Sequence, residues 1–497
     1  MTMTITLMTN ALEYLKNTAA RLPNKIAFSD EKKSLTFSEL NIMGKNLGGY
    51  IAANTVGHNR PIAVFSDRSV MTLAIFIGVL YSGNYYVPID AEMPPERIRV
   101  CLEHLNPLAV LSADDNIEFT SLSCEEGFCF TGDIKNTVLD IDPAYVLFTS
   151  GSTGEPKGIV ISHRSVIDCI EWESSEFDFA ENDILASQVP FYFDPFIKDF
   201  FLTLKCGMTA YILPKRLFMF PLRLMEFIRD KKATVLLWST SAFNLVANSG
   251  ALIKCAPTAL HTVVFGGEQL FAKQLTAWQN SLPNVRYINF YGPTEVTVEC
   301  AYHIIDRRYG DNEAVPIGIP CGNKEILLLD ENLLPVLPGQ PGEICVRGIG
   351  LSLGYYGDRE KTAAAFVQNP GNPWYRDTIY RTGDLGVYNE EGLLMFVSRM
   401  DDQIKHMGYR IELGDVEIAL LGIDKIQEAV CFYANEKIYT VYAGDIRPGE
   451  ILKVLEKILP KYMRPGVLIR KDTLPKNATG KIDRIKLKED ALSDKNL

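Results

Sequence analysis

Tyr145-Val-Leu-Phe-Thr-Ser-Gly-Ser-Thr-Gly-Glu-Pro-Lys-Gly158 sets an apolar run directly before ten residues dominated by Gly, Ser and Thr. The run Tyr145 to Phe148 reads as a buried strand, and the segment after it reads as a loop built to meet an anion. Gly151, Gly154 and Gly158 let the backbone approach closely, Ser150, Ser152 and Thr153 offer hydroxyl donors, and Lys157 offers counter-charge. The spacing departs from GxxxxGK[ST], which disfavours a P-loop NTPase. Taken alone, the same composition also suits a flexible surface turn.

Outward from this loop, short runs rich in Val, Ile and Phe alternate with amphipathic stretches. Ile62 to Phe65, Tyr85 to Val87, Ala109 to Leu111, Val235 to Trp238 and Thr262 to Phe265 read as strands, and Pro95 to Leu105 and Pro221 to Asp230 as helices. Such alternation predicts an open, mostly parallel sheet with helices on both faces. From Ile317 to Gly354 the pattern changes to short strands with Pro and Gly turns, as a small β-barrel or antiparallel unit requires. The charged turn Ser398 to Gln403 marks a boundary. Beyond it, residues 401–497 carry 17 Lys and Arg against 16 Asp and Glu, while the first 400 are strongly acidic. Two domains are expected, 1–400 and 401–497.

The chain has 497 residues and a formal net charge of −11. That balance argues against a nucleic-acid partner, which would call for a basic face. Phosphate must then be held by local loops. Ten scattered cysteines without a CxxC pair fit a reduced, cytoplasmic setting, and six dispersed histidines offer no transition-metal spacing. The apolar stretch Met71 to Tyr81 is too short to span a bilayer and reads as a buried helix leading into a strand. The Met-Thr repeats of residues 1–9 lack the regions of a secretory signal and are set aside from fold reasoning.

Four further segments give the loop a context: Asn289-Phe-Tyr-Gly-Pro-Thr-Glu295, Tyr380-Arg-Thr-Gly-Asp-Leu385, Ser398-Arg-Met-Asp401 and Asn477-Ala-Thr-Gly-Lys-Ile-Asp-Arg484. In that order they resemble the motif series of the acyl-adenylate-forming superfamily, and within it the adenylation domains of nonribosomal peptide synthetases and the stand-alone D-alanine carrier-protein ligases. The resemblance runs from Leu35-Thr-Phe-Ser-Glu39 to the C-terminal lysine motif. It implies an α/β fold: a large N-terminal domain of two doubly wound α/β subdomains plus a small β-barrel, then a small mobile α+β domain, with ligands between the two.

The same resemblance implies roles. Thr149, Ser150, Gly151, Ser152, Thr153, Gly154 and Lys157 would embrace the ATP phosphates, Tyr291 would stack on adenine, and Asn289 would read its edge. Thr294 would touch the α-phosphate and Glu295 would hold Mg²⁺. Asp384 and Arg399 would hold the ribose, a carboxylate being a two-oxygen acceptor suited to a diol. Lys481 would bridge the substrate carboxylate and the α-phosphate, Asp401 would be the hinge, and Gly408 would give room in the thiol tunnel. His406 reads as structural.

Phe193-Asp194 matches the motif whose aspartate pairs with an α-ammonium, so an amino acid is the expected substrate. The rest of its pocket would be Pro195, Lys198, Ser241, Val264, Gly266, Phe290, Val298 and Glu299. Lys198 and Glu299 depart from the small apolar lining of a D-alanine ligase. They either pair with each other or meet a polar side chain, because a lone buried charge is costly. A polar or charged amino acid is therefore favoured over a small neutral one. No pantetheine-accepting segment follows Arg484, so the phosphopantetheine is expected on a separate carrier protein met in trans by a monomer. Coenzyme A is the alternative thiol.

Overall fold

The computed structural model describes residues 8–113, 138–149, 156–268, 270, 272–310, 313–476 and 482–493. The chain forms two compact units. One comprises Met1–Asp90, Asn106–Leu147 and Gly158–Ser398, the other Ala91–Leu105, Phe148–Lys157 and Arg399–Leu497.

In the first unit, nine strands form a sheet in the spatial order Ile319–Pro320, Ala301–Ile305, Arg286–Tyr291, Thr262–Gly266, Val235–Ser239, Ile184–Ser187, Thr209–Ile212, Ile26–Ser29 and Ser34–Thr36. The six strands from Arg286–Tyr291 to Ile26–Ser29 run parallel, and antiparallel strands close both edges. The central strands are buried on both faces, which is why Val235–Ser239 and Thr262–Gly266 read as unbroken apolar runs without alternation.

A second sheet orders Ala109–Ser112, Pro61–Ser66, Tyr85–Asp90, Pro143–Thr149 and Lys157–Ser162. Pro61–Ser66 pairs parallel with both its neighbours, and Tyr85–Asp90 pairs parallel with Pro143–Thr149. Against these layers pack the helices Phe37–Asn54 and Val70–Tyr81. The first starts at the Leu35 to Glu39 motif for a local reason: Thr36 and Glu39 form a reciprocal capping box. A Cβ on Gly48 would stand 2.9 Å from the Gly78 carbonyl oxygen, so the two helices approach too closely for any larger residue there. The stretch expected as a buried helix is helix Val70–Tyr81, with the strand Tyr85–Asp90 after it.

Lys324–Leu329, Gly342–Gly348, Thr378–Tyr388, Phe366–Gln368 and Leu394–Arg399 make a third, five-stranded sheet. Lys324–Leu329, Gly342–Gly348, Thr378–Tyr388 and Phe366–Gln368 pair antiparallel in that order. In the second unit the hairpin Gln403–His406 with Tyr409–Glu412 precedes a sheet of Ile426–Ala434, Lys437–Gly444 and Val467–Lys471. Helix Pro95–Leu105 joins this unit, where Arg97 pairs with Asp415 at 3.6 Å. Among the described residues, no helix is long and apolar enough to cross a membrane, and all eight cysteines are free.

Candidate functional site

The strand Arg286–Tyr291 ends in the sequence motif and carries its side chains to the strand's C-terminal end, where loops of a parallel sheet converge. Asn289 is buried there and donates from Nδ2 to the Pro316 carbonyl at 2.9 Å. Tyr291 is buried and donates its hydroxyl to Asp384 Oδ2 at 2.5 Å. Burial first, and the Asp384 charge second, push the Tyr291 phenol well above its usual value, so the tyrosine stays a donor.

Asp384 reaches Tyr291 because its strand is irregular. Glu343 faces Leu385 and Cys345 faces Arg381, so one residue on strand Gly342–Gly348 stands opposite three on Thr378–Tyr388. Gly383, at φ +72°, makes that bulge possible. Glu343 fixes it, accepting from Arg381 at 2.9 and 2.7 Å and from the Gly383 amide at 3.1 Å. The Arg381-Thr-Gly-Asp384 signature is thus a device for presenting one carboxylate.

Beyond Gly292 the chain makes a short 3₁₀ turn over Thr294–Val296. Thr294 donates its hydroxyl to Asp194 Oδ2 at 2.8 Å, which joins two motifs 100 residues apart. Glu295 is fully buried and accepts from the Tyr355 hydroxyl at 3.0 Å. Thr297 and Val298 then adopt φ of +59° and +71°, a conformation that β-branched residues rarely tolerate. This strain turns the chain back on itself. A Cβ on Gly292 would lie 2.4 Å from Glu299 Cα and 2.6 Å from the Val298 oxygen, both backbone. Gly292→Ala is expected to cost about 1–3 kcal/mol as an overpacking substitution, read as a lowered midpoint in thermal or denaturant unfolding. An unchanged midpoint would mean the turn relaxes freely.

The positions expected around the amino acid fall on two helices, two strands and the turn that carries Val298 and Glu299, all in the first unit. Asp194 and Pro195 lead into helix Phe196–Cys206, whose first turn carries Lys198. Ser241 lies on helix Thr240–Ser249 and donates to Glu268 at 2.5 Å. Val264 and Gly266 lie on strand Thr262–Gly266, in register with Ile288 and Phe290. A Cβ on Gly266 would meet the Phe290 carbonyl at 2.7 Å, so only glycine fits.

Lys198 and Glu299 pair with each other at 3.2 Å, and Lys198 Nζ also lies 4.0 Å from the centre of the Phe290 ring. Sequence reasoning missed the third member. Glu173, on helix His163–Glu176, stands 3.8 Å from Lys198 and is fully buried. Cys169, one turn earlier, donates to Glu299 Oε1 at 3.4 Å, and Lys324 Nζ reaches the Glu299 carbonyl. Burial drags the Lys198 ammonium down in pKa, but Glu173 and Glu299 more than restore it, so it stays charged. Ligand atoms of Cys169, Glu173 and Glu299 lie within 4.8 Å of one another, a metal-like grouping whose cation here is Lys198 itself.

In the second unit, Thr149 Oγ1 is buried with no hydrogen-bond partner among the described residues, and Lys157 stands 3.8 Å from Glu412. Arg399 donates to both oxygens of Asp401, at 2.6 and 2.7 Å. Burial raises the Asp401 carboxyl, yet the guanidinium holds it below its ordinary value. Met407 and Gly408, at φ +54° and +84°, form the two-residue turn of the hairpin between His406 and Tyr409. His406 Nδ1 lies 3.0 Å from the Tyr433 hydroxyl. Ser150, Gly151, Ser152, Thr153, Gly154 and Lys481 lie outside the described residues.

A family model described as AMP-binding enzyme matches residues 15–356. Gramicidin S synthase 2 of Brevibacillus brevis is 32% identical over 494 residues, covering 96% of this chain and 11% of that protein. Tyrocidine synthase 3 of Brevibacillus parabrevis is 32% identical over 500 residues, covering 95% of this chain and 8% of that protein. The chain thus spans between 8% and 11% of the length of these relatives. Among solved structures, IdnL1 superposes with a TM-score of 0.81 at 26% identity, covering 95% of this chain and 100% of that one. PA1221, described as an NRPS protein containing adenylation and PCP domains, superposes with a TM-score of 0.82 at 24% identity, covering 98% of each chain. The fold is that of adenylation-domain structures.

Proposed function

The chain belongs to the AMP-binding enzyme family, and from that premise we propose that it activates an amino acid with ATP, releasing pyrophosphate, and passes the aminoacyl group to a phosphopantetheine thiol on a carrier protein. The observation that carries the amino acid is the Asp194 carboxylate, hydrogen-bonded by Thr294 of the Asn289 to Glu295 motif. A carboxylate beside the reacting motif supplies the counter-charge an α-ammonium needs on leaving water. The synthases to which the chain is similar, and the likeness of its fold to an NRPS protein containing adenylation and PCP domains, support the carrier protein.

Acyl-AMP formation needs a carboxylate aligned on the α-phosphorus and charge neutralised around it, so positioning and electrostatics do the work. Tyr291 packs against adenine and Asn289 faces its edge. Asp384, presented by the Gly383 bulge, accepts from the ribose hydroxyls, with Arg399 on the same sugar. Thr294 steadies the α-phosphate while Asp194 orients the amino group. Thr149 to Gly154 and Lys157 hold the outer phosphates. Glu295 offers the hard oxygen donor that Mg²⁺ takes, and a bound Mg²⁺ would neutralise phosphate charge. Residues 401–497 form a mobile domain that turns about Asp401, acts as part of a cytoplasmic monomer, and meets the thiol along the Gly408 hairpin.

The test is amino-acid-dependent ATP–pyrophosphate exchange over a broad panel, followed by labelling of a holo-carrier protein against coenzyme A. Exchange with no amino acid would sink the substrate class, and a coenzyme A ester without carrier labelling would replace the acceptor. Lys481→Ala is expected to lower exchange by about a hundredfold or more, the scale of one preorganised charge at a reacting centre. Given prepared aminoacyl-AMP, the variant should still load the carrier at the wild-type rate. Equal loss of both half-reactions in a folded variant would argue for one fixed site.

A further inference from the structure

Glu173 lies in none of the motifs, yet it is fully buried and, among the described residues, neither of its carboxylate oxygens accepts a hydrogen bond. A bare buried carboxylate is expensive, and the ammonium of Lys198 stands 3.8 Å from it. Three elements converge on that ammonium: helix His163–Glu176 through Glu173, the turn before Ala301–Ile305 through Glu299, and strand Arg286–Tyr291 through the Phe290 ring. Lys198 itself stands one helical turn beyond Asp194.

A lysine is a point charge on a flexible four-carbon stem, so a single partner leaves it free to swing. Carboxylates at 3.2 and 3.8 Å, carried by separate elements, hold it in one place. We propose that Glu173 is a positioning residue for the amino-acid pocket, holding Lys198 against Glu299 and Phe290 so that the wall beside Asp194 keeps one shape. The proposal rests on the reading that Lys198, Phe290 and Glu299 line that pocket.

Burial pushes the Glu173 carboxyl up, the Lys198 ammonium at 3.8 Å is the first charge to pull against it, Glu299 and Asp199 push with burial, and Lys324 pulls with Lys198. Cys169, Cys206 and Cys321 also face Glu173 and Tyr145 faces Glu299, and burial raises all three thiols and the phenol.

A double-mutant cycle tests this on the whole chain with ATP and the amino acid preferred in exchange. Glu173→Gln keeps the shape and removes the charge, and should raise the amino-acid KM roughly tenfold, the scale on which pocket contacts discriminate, while leaving the ATP KM unchanged. In a Lys198→Met background the same change should have no further effect, because the residue it positions is gone. Should Lys198→Met fail to fold, Lys198→Gln with Glu299→Gln serves as the uncharged background. An unchanged amino-acid KM, parallel rises in both KM values, or an undiminished effect in the background would each overturn the proposal. If wild-type exchange responds to another carboxylic acid and to no amino acid, the functional reading fails, and the cycle is run with that acid.

Discussion

Asp194→Ala is expected to abolish amino-acid-dependent pyrophosphate exchange. The carboxylate accepts the Thr294 hydroxyl at 2.8 Å, so its removal strips the acceptor from a motif residue and the counter-charge from an incoming α-ammonium. Leaving a desolvated ammonium unpaired costs on the order of 3 kcal/mol or more, a factor of at least about a hundred in kcat/KM. Asp194→Asn separates the two losses, since the amide oxygen still accepts from Thr294 while the charge is gone. Both variants should bind ATP as the wild type does, measured by equilibrium titration. Exchange retained with the same amino acid in Asp194→Ala would remove this residue from the site.

Asp384→Ala should be nearly as damaging, but through the nucleotide. Each hydrogen bond to a charged acceptor contributes about 1.5–3 kcal/mol, so losing a carboxylate that serves two hydroxyls lowers kcat/KM for ATP by roughly a hundredfold or more. The buried Tyr291 hydroxyl also loses its acceptor at 2.5 Å, which adds about 1–3 kcal/mol of instability to the variant. Tyr291→Phe with Asp384→Ala therefore has a sharp outcome: it should regain stability over Asp384→Ala alone without regaining ATP affinity. Affinity unchanged in folded Asp384→Ala would exclude the ribose contact.

Much of the scaffold was legible because its signals are local. Strand Val235–Ser239 is an unbroken apolar run because both its faces are covered, whereas the capping box that starts helix Phe37–Asn54 sits inside the Leu35 to Glu39 motif and reads there only as one end of the resemblance. Helices Pro95–Leu105 and Pro221–Asp230 have the ends that their amphipathic period marks. The Arg381 to Asp384 signature was legible as a motif, but not as a bulge locked by Glu343, which lies 38 residues earlier on a neighbouring strand.

By itself, the sequence determined the α/β class, several of its strands and helices, and the motif series, because periodicity, turn chemistry and glycine spacing are written within a few residues of one another. Only the tertiary structure decided that Lys198 meets Glu299 rather than standing alone, that Glu173 and Cys169 complete the cluster, and that Thr294 hydrogen-bonds Asp194. Glu173 on an amphipathic helix reads as one more solvated acid, since acids are seldom buried without a partner. Its partner Lys198 lies 25 residues further along the chain, and Glu299, which shares that lysine, lies 126 residues further. The pairing that makes burial of such charges tolerable exists only once distant elements have packed, and no local pattern encodes it.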